Sequence, residues 1–539
     1  MKSGGSSRIE GSSPQANELI PTEARERSRR RTSAKEGSTR REFLIGSAAL
    51  VAGCATRART IEGGIVGPSR DVGHLLRDGN LPAPTAVRDV PVVVVGGGIA
   101  GLSAAWKLAK CGVDCEVLEL EPEVGGNSRW GENRVSPYPW AAHYVPVPTA
   151  SSRAVRELFR ELGVMEGDRC REEYLCHAPH ERIFMYGRWV DGLFPRVGMT
   201  ADDAAQVERF NARLAEFRAA RVFAIPLELS TADPSLDALT MRAWMEREGF
   251  TSERLRWYVD YCCRDDYGCS IDTTSAWAAL HYFCAREVDD PEVLTWPEGN
   301  GWIVKRLREK LAGRLRTNAL VYRATREGEV DVLDTRTRES TRLRAKHVVF
   351  ALPRFIARHV IPGYAPPEGF TYGPWMVANV TVDRLPDEAC WDNVIWKSPS
   401  LGYVVATHQA LRAHVGPSVL TYYRPFAEMD PSAARRAMFT RTWESWRDEI
   451  VAELSRAHRG IASLVRSIDV MLWAHAMIRP TPGFITGAAR RESHAPLGRV
   501  RFAHSDMSGI SIFEEAQYWG VRAAEGILAE MGRPFESSL

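Results

Sequence analysis

Val92-Val93-Val94-Val95-Gly96-Gly97-Gly98-Ile99-Ala100-Gly101, continued by Leu102 to Lys110, reads as strand, turn and helix. Four β-branched residues in a row suit a strand buried on both faces of a parallel sheet. Gly96, Gly98 and Gly101 form G-x-G-x-x-G at the strand-to-helix turn. The first glycine permits the turn, the second lets the backbone approach a pyrophosphate, and the third lets the helix pack on the strand. The N–H groups of Ile99, Ala100 and Gly101 open the helix and are placed to hold phosphates. A second strand, Cys115 to Glu119, ends in a carboxylate 18 residues beyond Gly101. Glu119 there accepts from ribose hydroxyls and repels a 2′-phosphate, which points to an adenine dinucleotide other than NADP.

The rest of the chain bounds the reading. At 539 residues it holds more than one folding unit, and 44% hydrophobic with 26% charged residues is a globular balance. A net charge of +2 gives no basic field for nucleic acid. None of the ten cysteines stands in C-x-x-C, so no zinc or other metal site is expected. No run reaches the roughly 20 apolar residues of a membrane span.

Residues 1–38 lack apolar periodicity and read as disordered. Thr39-Arg40-Arg41-Glu42-Phe43-Leu44-Ile45 then leads a short apolar stretch that resembles a twin-arginine export signal. Val51-Ala52-Gly53-Cys54 resembles a lipobox, which implies membrane anchoring through Cys54. Residues 1–53 hold ten basic and six acidic residues, so the chain without them carries −2. Residues 55–88 read as a linker or an arm on the surface.

The segment Glu119-Leu120-Glu121-Pro122-Glu123-Val124-Gly125-Gly126-Asn127 resembles that of the flavin-containing amine oxidase and phytoene desaturase superfamily. The resemblance extends over residues 91–130, 295–355 and 495–530. It implies FAD, with Gly125, Gly126 and Asn127 beside the pyrophosphate and ribityl; Asn127 stands where the pattern often has Arg. It implies an adenine contact through the Val321 backbone. Near the C-terminus, Phe502-Ala503-His504-Ser505-Asp506 and Ser511-Ile512-Phe513-Glu514-Glu515-Ala516 match its flavin-closing motif. Asp506 is then the ribityl ligand, and the helix start at Glu515 and Ala516 faces the flavin. The family's covalent attachment uses a cysteine near this motif; the last cysteine here is Cys390, so FAD is expected to be non-covalent.

The expected architecture is α/β: a Rossmann-like FAD-binding domain (89–150, 295–365, 485–539) with an inserted α+β substrate domain (151–294, 366–484), after a signal over 1–54. The expected chemistry is hydride transfer from an amine or C–H substrate to the flavin, with O2 or a quinone as acceptor. The lysine that many of these amine oxidases carry is absent from residues 347–396, where Asn379 falls, and Ile512 replaces a cage tyrosine. Asn379, Phe513 and His475 are the catalytic candidates. A desaturase or isomerase on an apolar substrate, and a non-catalytic FAD protein, are the alternatives. Arg264-Asp265-Asp266-Tyr267-Gly268 reads as either a helix cap with salt bridges or a substrate contact.

Overall fold

Val92 to Val95 lie at the centre of a seven-stranded sheet and are at most 1% exposed. Burying each contributes about 1.5–2 kcal/mol of transfer free energy. Their strand, Ala86–Val95, pairs in parallel with Glu116–Leu118 on one side and Ser340–Phe350 on the other. Leu315–Arg316 and Val500–Phe502 extend the parallel set. An antiparallel pair, Ala319–Ala324 and Glu329–Asp334, rides on the first half of Ser340–Phe350. Helices Ile99–Lys110 and Phe513–Glu530 pack together so closely that a Cβ at Gly520 would overlap the Ala100 carbonyl. This is a Rossmann-like unit in a mixed α/β chain. The computed structural model describes residues 60–286, 292–385, 389–410 and 416–539. Arg40, Arg41 and Cys54 lie outside the described residues.

A second sheet has eight strands, in the order Glu62–Val66, Val465–Ile478, Tyr372–Val382, Ser418–Pro425, Gly402–Val405, Asp392–Ile395, Glu181–Met185, Arg188–Asp191. Its residues alternate between two cores, as a pleat requires. Val377, Val404 and Tyr423 face a helical layer built from Ala201–Ala219, Glu253–Tyr267 and Ala276–Cys284. Met376, Tyr403 and Tyr422 face Pro431–Thr440 and Trp443–Ala457, where Trp446 is fully buried.

Of the two readings of this segment, residues 60–88 are the arm and not the linker: Glu62–Val66 adds in parallel to Ser467–Met471, and Arg70–Asp78 is a helix. Ser69 ties this arm to the nucleotide unit, its N–H and hydroxyl donating to Glu121 at 2.8 and 3.0 Å. Helix Arg153–Glu161, expected in the substrate domain, buries Val155, Leu158 and Phe159 against the Val92 and Val94 core.

Candidate active site

Gly96 has φ +106° and donates its N–H to the Leu118 carbonyl at 2.9 Å. A Cβ at Gly101 would overlap the Gly96 carbonyl oxygen, so helix and turn touch only because position 101 is bare. Gly98 differs: a Cβ there meets nothing nearer than the Gly126 Cα at 3.9 Å. It faces open space where the helix starts, and the first N–H groups of that helix have no intrahelical partner. Gly125, at φ +139°, donates to the Gly97 carbonyl at 2.8 Å and bridges Gly98, which brings Gly126 (φ +55°) to the same spot. Glu119 follows the strand Glu116–Leu118. Its carboxylate accepts from the N–H groups of Gly97 (2.8 Å) and Glu121 (2.9 Å), and burial pushes its pKa up. A carboxylate accepts about four bonds, so capacity remains. The ladder slips between Val321 and Arg323, leaving a backbone position unpaired beside Val321.

Asp506 is fully buried. Its Oδ2 accepts from the Arg354 N–H (2.9 Å) and the Tyr372 hydroxyl (2.6 Å). Oδ1 lies 3.0 Å from His504 Nδ1 and completes no hydrogen bond among the described residues. Burial raises this carboxyl; His504 and the accepted bonds outweigh it and leave it below the ordinary range.

Between this cleft and the second sheet lies a cavity of about 140 Å³. Asn127, Ala142 and Asn300 bound it on the nucleotide side, and Trp375, Tyr423 and Trp473 supply ring walls. The Asn127 amide is pinned to the Ala476 carbonyl at 2.6 Å, and Tyr423 to the Ala141 carbonyl at 2.8 Å. His143 packs 4.8 Å from the Tyr423 ring; burial depresses its pKa to about 4, so it is neutral. The far end is charged. Arg286 donates to Glu514 at 2.8 Å, and the buried Glu514 Oε2 has no partner among the described residues. Asp265 and Asp266 come from the last turn of helix Glu253–Tyr267. That helix ends at Gly268, where a Cβ would sit 2.6 Å from the Trp375 indole nitrogen. Among the described residues no hydrogen bond or ion pair reaches the Asp265 carboxylate. Burial, then Asp266 and Asp392, holds its pKa well above the carboxylate range; burial pushes Asp266 to about 6. Three carboxylates against one guanidinium make this end acidic.

Residues 94–162 match the NAD(P)-binding Rossmann-like domain family. Over 35 residues the chain is 54% identical to the methylenetetrahydrofolate–tRNA-(uracil-5-)-methyltransferase TrmFO of Anaeromyxobacter dehalogenans, covering 6% of this chain and 8% of that one. Over 75 residues it is 43% identical to the L-amino acid oxidase Cdc18 of Crotalus durissus cumanensis, 14% of each. The chain thus spans a small part of the curated relatives it matches. Wild-type putrescine oxidase bound to putrescine superposes with a TM-score of 0.62 at 17% identity, over 82% of this chain and 100% of that one. Cyclohexylamine oxidase from Brevibacterium oxydans IH-35A gives 0.61 at 17%, over 83% and 100%. This chain has the fold of these two amine oxidases.

Within the shared amine-oxidase fold, the residues expected at the cofactor separate into two groups. Gly96, Gly98, Ile99, Ala100, Gly101, Glu119, Gly125 and Gly126 meet at one turn, with Asn127 between turn and cavity. Glu515 turns away from the cavity: its carboxylate accepts from the Leu227 N–H at 2.6 Å and from the Ser508 hydroxyl. Ala516 packs into the Val92 core. Ser511, Ile512, Phe513 and Glu514 line the cavity instead, because the helix begins at Phe513.

Of the catalytic candidates, only Phe513 lines the cavity. Asn379 is buried beyond it, donating to the Pro139 carbonyl (3.1 Å) and accepting from Thr421 (2.7 Å). His475 stacks on Phe355, 4.1 Å between ring centres, in a different cleft, while Ala476 and Met477 reach the cavity. Pairing slips between Gly373 and Trp375, which breaks the simple alternation on that strand. Of the two readings of Arg264 to Gly268, the cavity holds Asp265 and Asp266, while Arg264 turns back to Asp260 at 3.0 Å. Arg286 carries no signal in the sequence. Glu514 sits inside the quoted C-terminal motif and was legible only as part of it.

Proposed function

We propose that this chain is an exported, FAD-dependent oxidoreductase that oxidises a small cationic amine. The observation that carries the reading is the pair Asp265 and Asp266 at the end of a ring-walled cavity, with Asp265 unpartnered among the described residues. Ring faces and carboxylates together complement an ammonium group. The cleft fits FAD on three counts: open space at Gly98, spare acceptor capacity on Glu119, and the Asp506 Oδ1, which completes no hydrogen bond among the described residues. Bound there without a covalent link, FAD would supply two-electron oxidation by accepting hydride at N5, with O2 or a quinone as final acceptor. The protein's part is to hold and orient. Asn127 and Ala142 bound the reacting face, and the rings limit the width. Asp265, protonated more readily than an ordinary carboxyl, is suited to take the ammonium proton so that the nitrogen is neutral when the C–H bond breaks. A desaturase or isomerase working on an apolar chain gains nothing from three carboxylates in its cavity.

The test is a visible spectrum of the purified protein, recorded without oxygen before and after adding amines, amino acids or apolar alkenes. Bleaching by primary amines, and release of all flavin on acid precipitation, are expected. A folded protein without flavin, or bleaching by alkenes alone, overturns the reading.

Export is proposed from Arg40-Arg41 and the apolar run after them. A route that carries folded proteins suits a chain that must bind its cofactor first. Replacing both arginines by lysine should retain the protein in the cytoplasm, and Cys54→Ser should release it from membranes. Unaltered fractionation of both variants contradicts the proposal.

A further inference from the structure

A second cleft, about 490 Å³, lies on the other side of the Phe355–His475 ring stack from the active-site cavity. Four separate elements send basic side chains into it, each with at least one arginine. Helix Arg70–Asp78 contributes His74 and Arg77, and helix Arg354–Val360 contributes Arg358 and His359. Helix Pro431–Thr440 contributes Arg435, and Arg479 follows strand Val465–Ile478.

Very little opposes this charge. Among the described residues that line it, Asp430 is the only carboxylate, and it is committed to capping its own helix through the N–H groups of Ser432 (3.0 Å) and Ala433 (2.9 Å). Arg358 makes no hydrogen bond or ion pair among the described residues. Arg479 is 7% exposed, and its Nε donates to the Cys269 sulfur at 3.0 Å rather than to a carboxylate. Arg435 donates to the Tyr372 carbonyl at 3.2 Å and to the Ser432 hydroxyl. Arg77 alone has an acid partner, Asp78, at 3.5 Å on the surface. The histidines register the same field. Burial first, then Arg435 and His74, depresses His475 to about 4. His359 is lowered by burial, then by Arg358 and Arg77.

Like charges gathered in a partly buried cleft repel one another and cost free energy unless an anion joins them. Guanidinium groups match carboxylate and phosphate oxygens in paired hydrogen bonds. We infer that this cleft binds a compact oxyanion carrying two or more negative charges, of the phosphate or polycarboxylate kind, with Arg358, Arg435 and Arg479 as its principal donors. The inference does not rest on the redox reading. It also assigns His475 a place in the molecule that the catalytic cavity denies it.

The experiment is isothermal titration of the full-length, flavin-loaded protein with pyrophosphate and with citrate, against sodium chloride of matched ionic strength. One saturable site is expected for at least one of the two, and which one distinguishes the phosphate from the polycarboxylate source. Arg358→Ala, at an exposed position that does not hold the fold together, should weaken that binding about tenfold, a loss of about 1.4 kcal/mol. Arg435→Ala should do the same, provided its melting temperature is unchanged. Heats reproduced by sodium chloride, or affinity unaltered in Arg358→Ala, overturn the inference. So does binding that appears only after flavin is stripped, because the cleft would then belong to the cofactor.

Discussion

Alanine at position 98 is expected to leave the fold intact and strip the protein of its flavin. Gly98 has φ −77° and ψ −178°, ordinary extended backbone open to any residue. The added methyl would meet no protein atom closer than 3.9 Å. As the residue before the helix, alanine in place of glycine costs only about 0.5–1 kcal/mol. The protein alone therefore tolerates the change. A pyrophosphate lying against the Gly98 Cα does not, because the methyl occupies its van der Waals space. A loss of about a hundredfold or more in FAD affinity, about 2.7 kcal/mol, is the expected scale. Gly101→Ala should behave differently. There the methyl overlaps the Gly96 carbonyl oxygen, and that residue is held by its bond to Leu118 and by the Ala351 carbonyl beside it. Overpacking costs about 1–3 kcal/mol, so this variant should lose melting temperature and flavin together. Gly64→Ala, with nothing within 4 Å, is the silent control. The measurements are thermal melts and the flavin-to-protein absorbance ratio. Full flavin occupancy in Gly98→Ala would remove the dinucleotide from this turn.

The turn was legible in the sequence because every constraint on it is local. Strand, glycines, helix and second strand fall within some thirty residues, and each glycine answers a backbone requirement of its own neighbours. Three strands of the second sheet, Tyr372–Val382, Gly402–Val405 and Ser418–Pro425, were legible for the same reason, as Tyr422 and Tyr423 facing opposite cores show. What could not be read depends on long-range pairing. Arg286 and Glu514 are 228 positions apart, and only the folded chain makes them an ion pair. Asp265 and Asp266 look like ordinary helix-end carboxylates until Gly268 lets Trp375 close over that end. The Glu62–Val66 strand is short, exposes Ile65 to 44%, and borrows its partner from residues 467–471. An edge strand of that kind leaves no hydrophobic period to find. His475 was misplaced because the register slip near Gly373 falls opposite it, and Asn379 because it lies past Trp375 and Val377 on the same face, beyond the end of the cavity.

Asparagine at position 265 is expected to cost most of the amine oxidation while leaving flavin content unchanged. The substitution keeps shape and removes the carboxyl that takes the ammonium proton. Truncating one partner of a buried charge pair costs about 3 kcal/mol, which is roughly a hundredfold in kcat/KM for a cationic amine. A neutral analogue of the same size should bind equally well to both proteins, which separates lost attraction from lost packing. The pH dependence gives an independent reading. Burial holds Asp266 at about 6, so its charge is lost as pH falls through that value. Only the ionised form attracts an ammonium group, so kcat/KM, which reports the free enzyme, should rise with pH through about 6. Asp266→Asn removes that step and leaves an acid limb set by Asp265 alone. Asp265 sits higher still, because burial, Asp266 and Asp392 all disfavour its charge. Neutralising Asp266 removes one of those repulsions, so in Asp266→Asn the remaining carboxyl should titrate lower than in the parent protein. Arg286 keeps Glu514 as its partner in either variant, so a drop in both cannot be assigned to a released guanidinium. An unchanged kcat/KM for amines in Asp265→Asn, with an unchanged acid limb in Asp266→Asn, would mean that the ammonium binds elsewhere and that the acidic end of the cavity is structural.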